Sequence, residues 1–179
     1  ASSNWDNGNT QNVGAVTLVD INDEIVNGTV SSSNSLIGTK SNDKIGNGGI
    51  TALSNENYVV SSFSWGNGNI EEVGAVTLVD VATNSNVTGN VSSSNSLIGT
   101  KAGDKVGNAG VTALSNEKYV VASSNWDNGN TQNVGAVTFW DKEVNISGTI
   151  SLDNSFIGDY SVLTLNNDKI VLNNTSTSN

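Results

Sequence analysis

The sequence predicts an all-β fold made of three copies of one unit of about sixty residues, and three observations predict it. A Trp, an Asn-Gly loop and an apolar Val-Gly-Ala-Val-Thr run recur together from Ser2 to Asp20, Ser61 to Asp80 and Ser123 to Asp141. The apolar runs are short, rich in β-branched residues and bounded by Asn, Ser and Gly, which is the signature of strands and turns. No window keeps a helical period, and the 19 glycines interrupt every candidate.

Each unit reads as four short strands. The first lies around Ile50 to Leu53 and the second at Tyr58 to Ser61, joined by the polar turn Ser54-Asn55-Glu56-Asn57. The third is Val73 to Val79, with Val76 and Leu78 on one face and Ala75 and Thr77 on the other. The fourth is expected at Gly89 to Ser93. The element GTVSSSNSLIG from Gly28 to Gly38 returns as Gly89 to Gly99 and, more loosely, as Gly148 to Gly158. NDKIGNGGITAL from Asn42 to Leu53 returns as Gly103 to Leu114.

A unit of this length is too long for one coil of a typical β-helix and suits a four-stranded propeller blade. We therefore expect a single repeat domain over 1–179, a β-propeller-like array with units at about 50–110 and 111–158, and 1–49 joined with 159–179 as a blade shared between the chain ends. The shared blade takes its first two strands from Val162 to Leu165 and Lys169 to Leu172. Three blades fall short of the usual four to eight. Closure with other copies, excision from a longer array, or another stacked antiparallel or filament-forming β architecture are the alternatives. The start at Ala1 without Met suggests a processed or excised chain, whereas the shortened last unit suggests a capping end.

Composition narrows the partners. Seven Lys and Arg face 17 Asp and Glu, a formal charge of -10, so nucleic acid and anionic lipid are disfavoured. No apolar run approaches the roughly twenty residues of a membrane helix. Uncharged polar residues dominate and Cys is absent, which reads as extracellular or cell-surface without a disulfide framework.

The run from Gly103 to Asp141 resembles the FG-GAP repeat of integrin alpha-chain propellers and of bacterial or archaeal surface proteins. Val106-Gly107 with Val111 is similar to its opening strand, Tyr119-Val120-Val121 to its second, and Gly135-Ala136-Val137-Thr138-Phe139 to its third. The resemblance covers essentially all three units and implies a propeller with a role in adhesion. It departs in two places. The loops Ser54 to Asn57, Ser115 to Lys118 and Asn166 to Lys169 are too short and too poor in carboxylates for calcium, and Ser61-Ser62 and Ala122-Ser123 replace the family's Gly-Ala-Pro ending.

Catalysis is not expected. There is no His and no Cys, and the recurrent Asp20, Asp80 and Asp141 fit turn-forming roles at the end of the third strand. Carbohydrate hydrolysis would need two non-repeated carboxylates converging in a cleft. Asp43 and Asp104, beside Lys44 and Lys105, read as exposed turn pairs, and Asp20, Asp23 and Glu24 as a solvated acidic loop. No cofactor or metal is expected.

The candidate contact residues for a glycan or protein partner are Trp5, Asp6, Asn7, Trp65, Asn67, Trp126, Asp127 and Asn128, since a Trp beside polar groups can stack on a sugar ring. Packing between blades is the competing and favoured reading of the Trp residues, with Asn7-Gly8, Asn67-Gly68 and Asn128-Gly129 as turns. Asn-x-Ser/Thr sites for glycosylation occur at Asn27, Asn86, Asn90, Asn145, Asn173 and Asn174. The expected function is a non-enzymatic extracellular structural or adhesion module acting by self-assembly, or by contact with another blade-bearing chain. The alternative is a glycan-binding lectin-like propeller that uses the Trp loops.

Overall fold

In the computed structural model the described residues are 1–19, 28–54, 56–141, 147–164 and 169–174. They form fourteen strands and no helix. The fold is an all-β repeat. Its clearest unit is the antiparallel order β3 (Gly49–Ala52), β4 (Tyr58–Ser62), β5 (Ala75–Val79) and β7 (Ser96–Ile98). The next unit repeats it with β8 (Gly110–Ala113), β9 (Tyr119–Ser123), β10 (Ala136–Trp140) and β12 (Ser155–Ile157).

The expected fourth strand is corrected by this order. The antiparallel partner of β5 is Ser96–Ile98, while Gly89–Asn90 forms a separate strand, β6, that pairs in parallel with β2 (Ser35–Ile37) of the preceding unit. The side chain of Asn95 divides the two. It accepts the Ser92 N–H at 2.9 Å and donates to the Asn90 carbonyl at 3.0 Å, holding a tight turn between them. The same exchange follows one unit later, where β11 (Gly148–Thr149) pairs in parallel with β7.

Before these units lie β1 (Ala15–Thr17) and β2, paired antiparallel in the places of the third and fourth strands. After them come β13 (Tyr160–Thr164) and β14 (Ile170–Asn174), paired in the places of the first and second. β1 and β14 lie in different sheets, one ordered β1-β2-β6 and the other β13-β14. The fold is thus a half layer, two complete layers and a second half layer.

Apolar clusters lie between successive layers. Val16, Leu36 and Ile45 of the first pack with Tyr58, Val60, Trp65 and Ala75 of the second. Val59, Val76 and Leu97 on the opposite face meet Tyr119, Val121, Trp126 and Trp140 of the third. The alternation read from the third strand therefore holds, with Val76 and Ala75 serving two different cores. Both faces of an internal strand are covered, which is why β4 and β9 are buried along their whole length. Tyr160, Val162, Ile170 and Leu172 of the last hairpin pack on Val120, Ala122 and Val137.

Small polar residues fit these cores because they bond to one another. Thr77 and Ser96 form a buried hydroxyl pair at 2.7 Å, repeated at the same distance by Thr17 with Ser35 and Thr138 with Ser155. The Ser123 hydroxyl accepts the Gly107 N–H at 3.0 Å, as Ser62 accepts that of Gly46.

Gly74 closes the Trp loop of its unit. Its N–H donates to the Trp65 carbonyl at 2.9 Å, its φ is +79°, and a Cβ there would run into the backbone of Lys105 and Val106. Gly74→Ala is expected to destabilise the protein by more than about 3 kcal/mol, through left-handed strain and a clash the backbone must relieve. A urea midpoint within error of the parent would refute this.

Two buried phenols add a pH dependence. Tyr119 is fully buried, stacks on Trp140 with ring centroids 5.0 Å apart, and has no hydrogen-bond partner for its hydroxyl among the described residues. Burial pushes its pKa far above the usual tyrosine value, and that of Tyr58 upward as well. Above about pH 10 the unfolded chain loses these protons while the folded chain keeps them. The contribution of these phenols to stability is therefore constant below that pH and falls above it, for Tyr119 by up to about 1.4 kcal/mol per pH unit. Denaturant titrations on both sides of pH 10 measure the slope. Tyr119→Phe is expected to flatten it without loss of stability at neutral pH.

Candidate functional site: the Trp loops and their junctions

The three Trp loops share one backbone design. Asn7 and Thr10 exchange two backbone hydrogen bonds at 3.0 Å around Gly8 and Asn9, and Asn67 with Ile70 and Asn128 with Thr131 do the same. Positive φ falls on Gly8, Gly68 and Gly129, at about 60° in each. The turning pair is therefore Gly-Asn, one residue later than an Asn-Gly turn.

The loops differ at the residue after Trp. In the first and third, Asp6 and Asp127 accept the N–H groups of Asn12 and Asn133 at 2.7 and 2.8 Å, bracing the far side of the loop. In the second, Gly66 stands there and Glu72 turns to form an ion pair with Lys105 at 3.2 Å.

The indoles do not form a common external platform. Trp65 and Trp126 are 4% and 5% exposed and belong to the cores between layers. Their indole N–H groups have no partner among the described residues. Trp5 is half-buried, since no layer packs on the face it occupies among the described residues. Asn7 and Asn128 are exposed, Asn67 half-buried. The sequence-derived set thus resolves into buried packing residues, loop braces and exposed turn residues.

Asp43 and Asp104 require a correction. They are not exposed turn pairs but are 2% and 0% exposed. One oxygen of Asp104 accepts the N–H groups of Thr100 and Lys101 at 2.7 and 2.8 Å, and the other accepts that of Asp127, in the next Trp loop, at 3.0 Å. Asp43 likewise holds Thr39, Lys40 and, across the junction, Gly66. Each carboxylate ties the loop after a fourth strand to the Trp loop of the following layer. Its repetition beside Lys looks like solvated surface in the sequence. Only the fold shows that three amide donors converge on it.

Above Asp43 lies an open groove of about 600 Å³, lined by residues that include Lys40, Lys44, Ser64, Asn69, Glu71 and Glu72. The Lys40 ammonium donates to the Gly68 carbonyl at 2.6 Å across it. Among the described residues the lining is polar, of mixed charge, and contains no aromatic ring. It has hydrogen-bonding groups but no stacking surface for a sugar.

Other expectations place as follows. Asp80 braces a turn by accepting the Thr83 N–H at 3.2 Å, whereas Asp141 pairs with Lys118 at 2.9 Å. Asn90, Asn173 and Asn174 are exposed, while the Asn86 amide donates to the Leu78 carbonyl at 2.9 Å. Asn27, Asn145, the acidic residues Asp20, Asp23 and Glu24, and the loop residues Asn55, Asn166, Asn167 and Asp168 lie outside the described residues. Among the described residues, no three carboxylates come together as a cation site. No helix among them is long and apolar enough to cross a membrane.

Residues 1–47, 52–108 and 113–166 match the family model described as Repeat of unknown function (DUF5650). The chain belongs to this repeat family. The matched segments follow the structural period, each beginning near a unit's first strand or its Trp loop. No curated protein and no solved structure matches the chain.

Proposed function

We propose that the chain is a non-enzymatic extracellular structural or adhesion module, a propeller-like stack of the FG-GAP kind that works through self-assembly or protein contacts. The observation that carries this reading is the internal use of the residues suited to small-molecule recognition. Two of the three loop indoles are core, and Asp6, Asp127, Asp43 and Asp104 are committed to backbone amides. What the surface offers instead is strand edge and apolar face at the two half layers. An acidic, Cys-free chain rich in uncharged polar residues suits an extracellular setting. Antibody labelling and protease shaving of intact producing cells test the location. Accessible epitopes are expected, and detection only after lysis would refute it.

The lectin reading rests on Trp5, half-buried beside the exposed Asn7 and Asn9. Glycan-array binding that Trp5→Ala abolishes, while thermal unfolding stays cooperative, would favour it over the structural module.

A further inference from the structure

We propose that the two half layers are complementary ends that join copies of this chain head to tail. The inference rests on the self-assembly reading above and specifies its surface.

Within the chain, each layer recruits the next in two ways. A Gly-led segment adds in parallel to the fourth strand of the layer before it, β6 to β2 and β11 to β7. The following residue then donates its N–H across the junction, Val91 to Ile37 at 3.0 Å and Ile150 to Ile98 at 3.2 Å. Val91 and Ile150 are thereby buried. At the ends, donor and acceptor of this same arrangement have no strand partner of this kind among the described residues. Gly28 and Thr29, in the position of β6, form no strand, and Val30 is only half-buried. At the other end, β12 has β10 as its single strand neighbour among the described residues.

The apolar faces match in the same sense. Leu36 and Leu97 share clusters with Trp65 and Trp126 of the following layer. Their counterpart Phe156 is 56% exposed, edge-on to Phe139 at 5.6 Å. Leu152 beside it is 70% exposed, where the other units carry Ser32 and Ser93. These side chains line a shallow hollow of about 380 Å³. Facing the other way, Trp5 and Val19 occupy positions that are buried as Trp65 and Val79 in the second layer, but Val19 is 48% exposed.

The strand inventory also closes. β13 and β14 stand in the first and second places of a layer, β1 and β2 in the third and fourth, so β14 of one copy beside β1 of the next completes a four-stranded sheet. In that sheet Phe156 would meet Trp5 and Val19 of the neighbour, as Leu97 meets Trp126. Ala1-Ser2 and Asn173-Asn174 claim the same register, because Ser2 already bridges Ala15 as Ser62 does Ala75. One strand end gives way and its hydrogen bonds are replaced in kind. The contact is heterologous, so it builds a ring or a filament. A two-copy ring would hold six layers, within the four to eight of known propellers.

Sedimentation velocity of the full chain over a micromolar concentration series tests this, with Phe156→Asp and Val19→Asp altering one end each. Both sites are exposed, and circular dichroism with thermal melts checks the fold of each variant. The parent is expected to associate with rising concentration, and each variant at least about tenfold more weakly. Mixed together, the variants should form pairs and nothing longer, since each retains the end the other lacks. A parent that stays monomeric throughout overturns the proposal. Association that both variants leave unchanged overturns the head-to-tail junction while leaving self-assembly intact.

Discussion

Trp126→Ala is expected to lower the unfolding free energy by about 3 to 5 kcal/mol, the range for deleting a large buried aromatic. Trp126 sits at the junction of the two complete layers, among Val76, Leu97, Tyr119 and Trp140. Trp65→Ala should cost a similar amount at the first junction. Trp5→Ala, at a half-buried position without a covering layer, should cost only about 1 kcal/mol in the isolated chain. Urea unfolding of the three variants measures the ordering. Equal losses at all three positions would mean that the first Trp is packed as the others are and that its end face is covered.

Asp104→Ala is expected to destabilise by about 3 kcal/mol or more, since three backbone N–H groups lose a charged acceptor at once. The loss should appear as a weaker junction between the second and third layers, with amide exchange quickening at Thr100, Lys101 and Asp127. Asp104→Asn should fall between, because an amide keeps one acceptor oxygen but sets its NH₂ against further donors. Asp43→Ala should reproduce the effect at the first junction, where the contact to Gly66 is longer at 3.2 Å. An Asp104→Ala protein as stable as the parent would show that solvent replaces the carboxylate without cost.

The outcome at these residues separates what was legible in the sequence from what was not. The strand runs were legible: Tyr58–Ser62 and Ala75–Val79 fall within two residues of their expected positions. The packing reading of Trp65 and Trp126 was legible too, from their spacing. The burial of Asp43 and Asp104 was not, because an Asp-Lys pair in a Gly- and Asn-rich segment has the composition of solvated surface. Its donors come partly from a loop about twenty residues further on. Nor could composition show that Gly89–Asn90 leaves its own sheet, since two residues carry too little pattern to choose a partner strand.

The sequence by itself therefore determined the period, the all-β class, the first three strands of a unit and the Gly-bearing turns. Those follow from φ preferences and side-chain alternation, which act over a few residues. Tertiary structure alone decided which faces are covered, which carboxylates are buried and which strands pair. Those depend on what the adjoining layer supplies, some sixty residues away along the chain. They also make Trp5 differ from Trp126, although the two sit in identical local sequence.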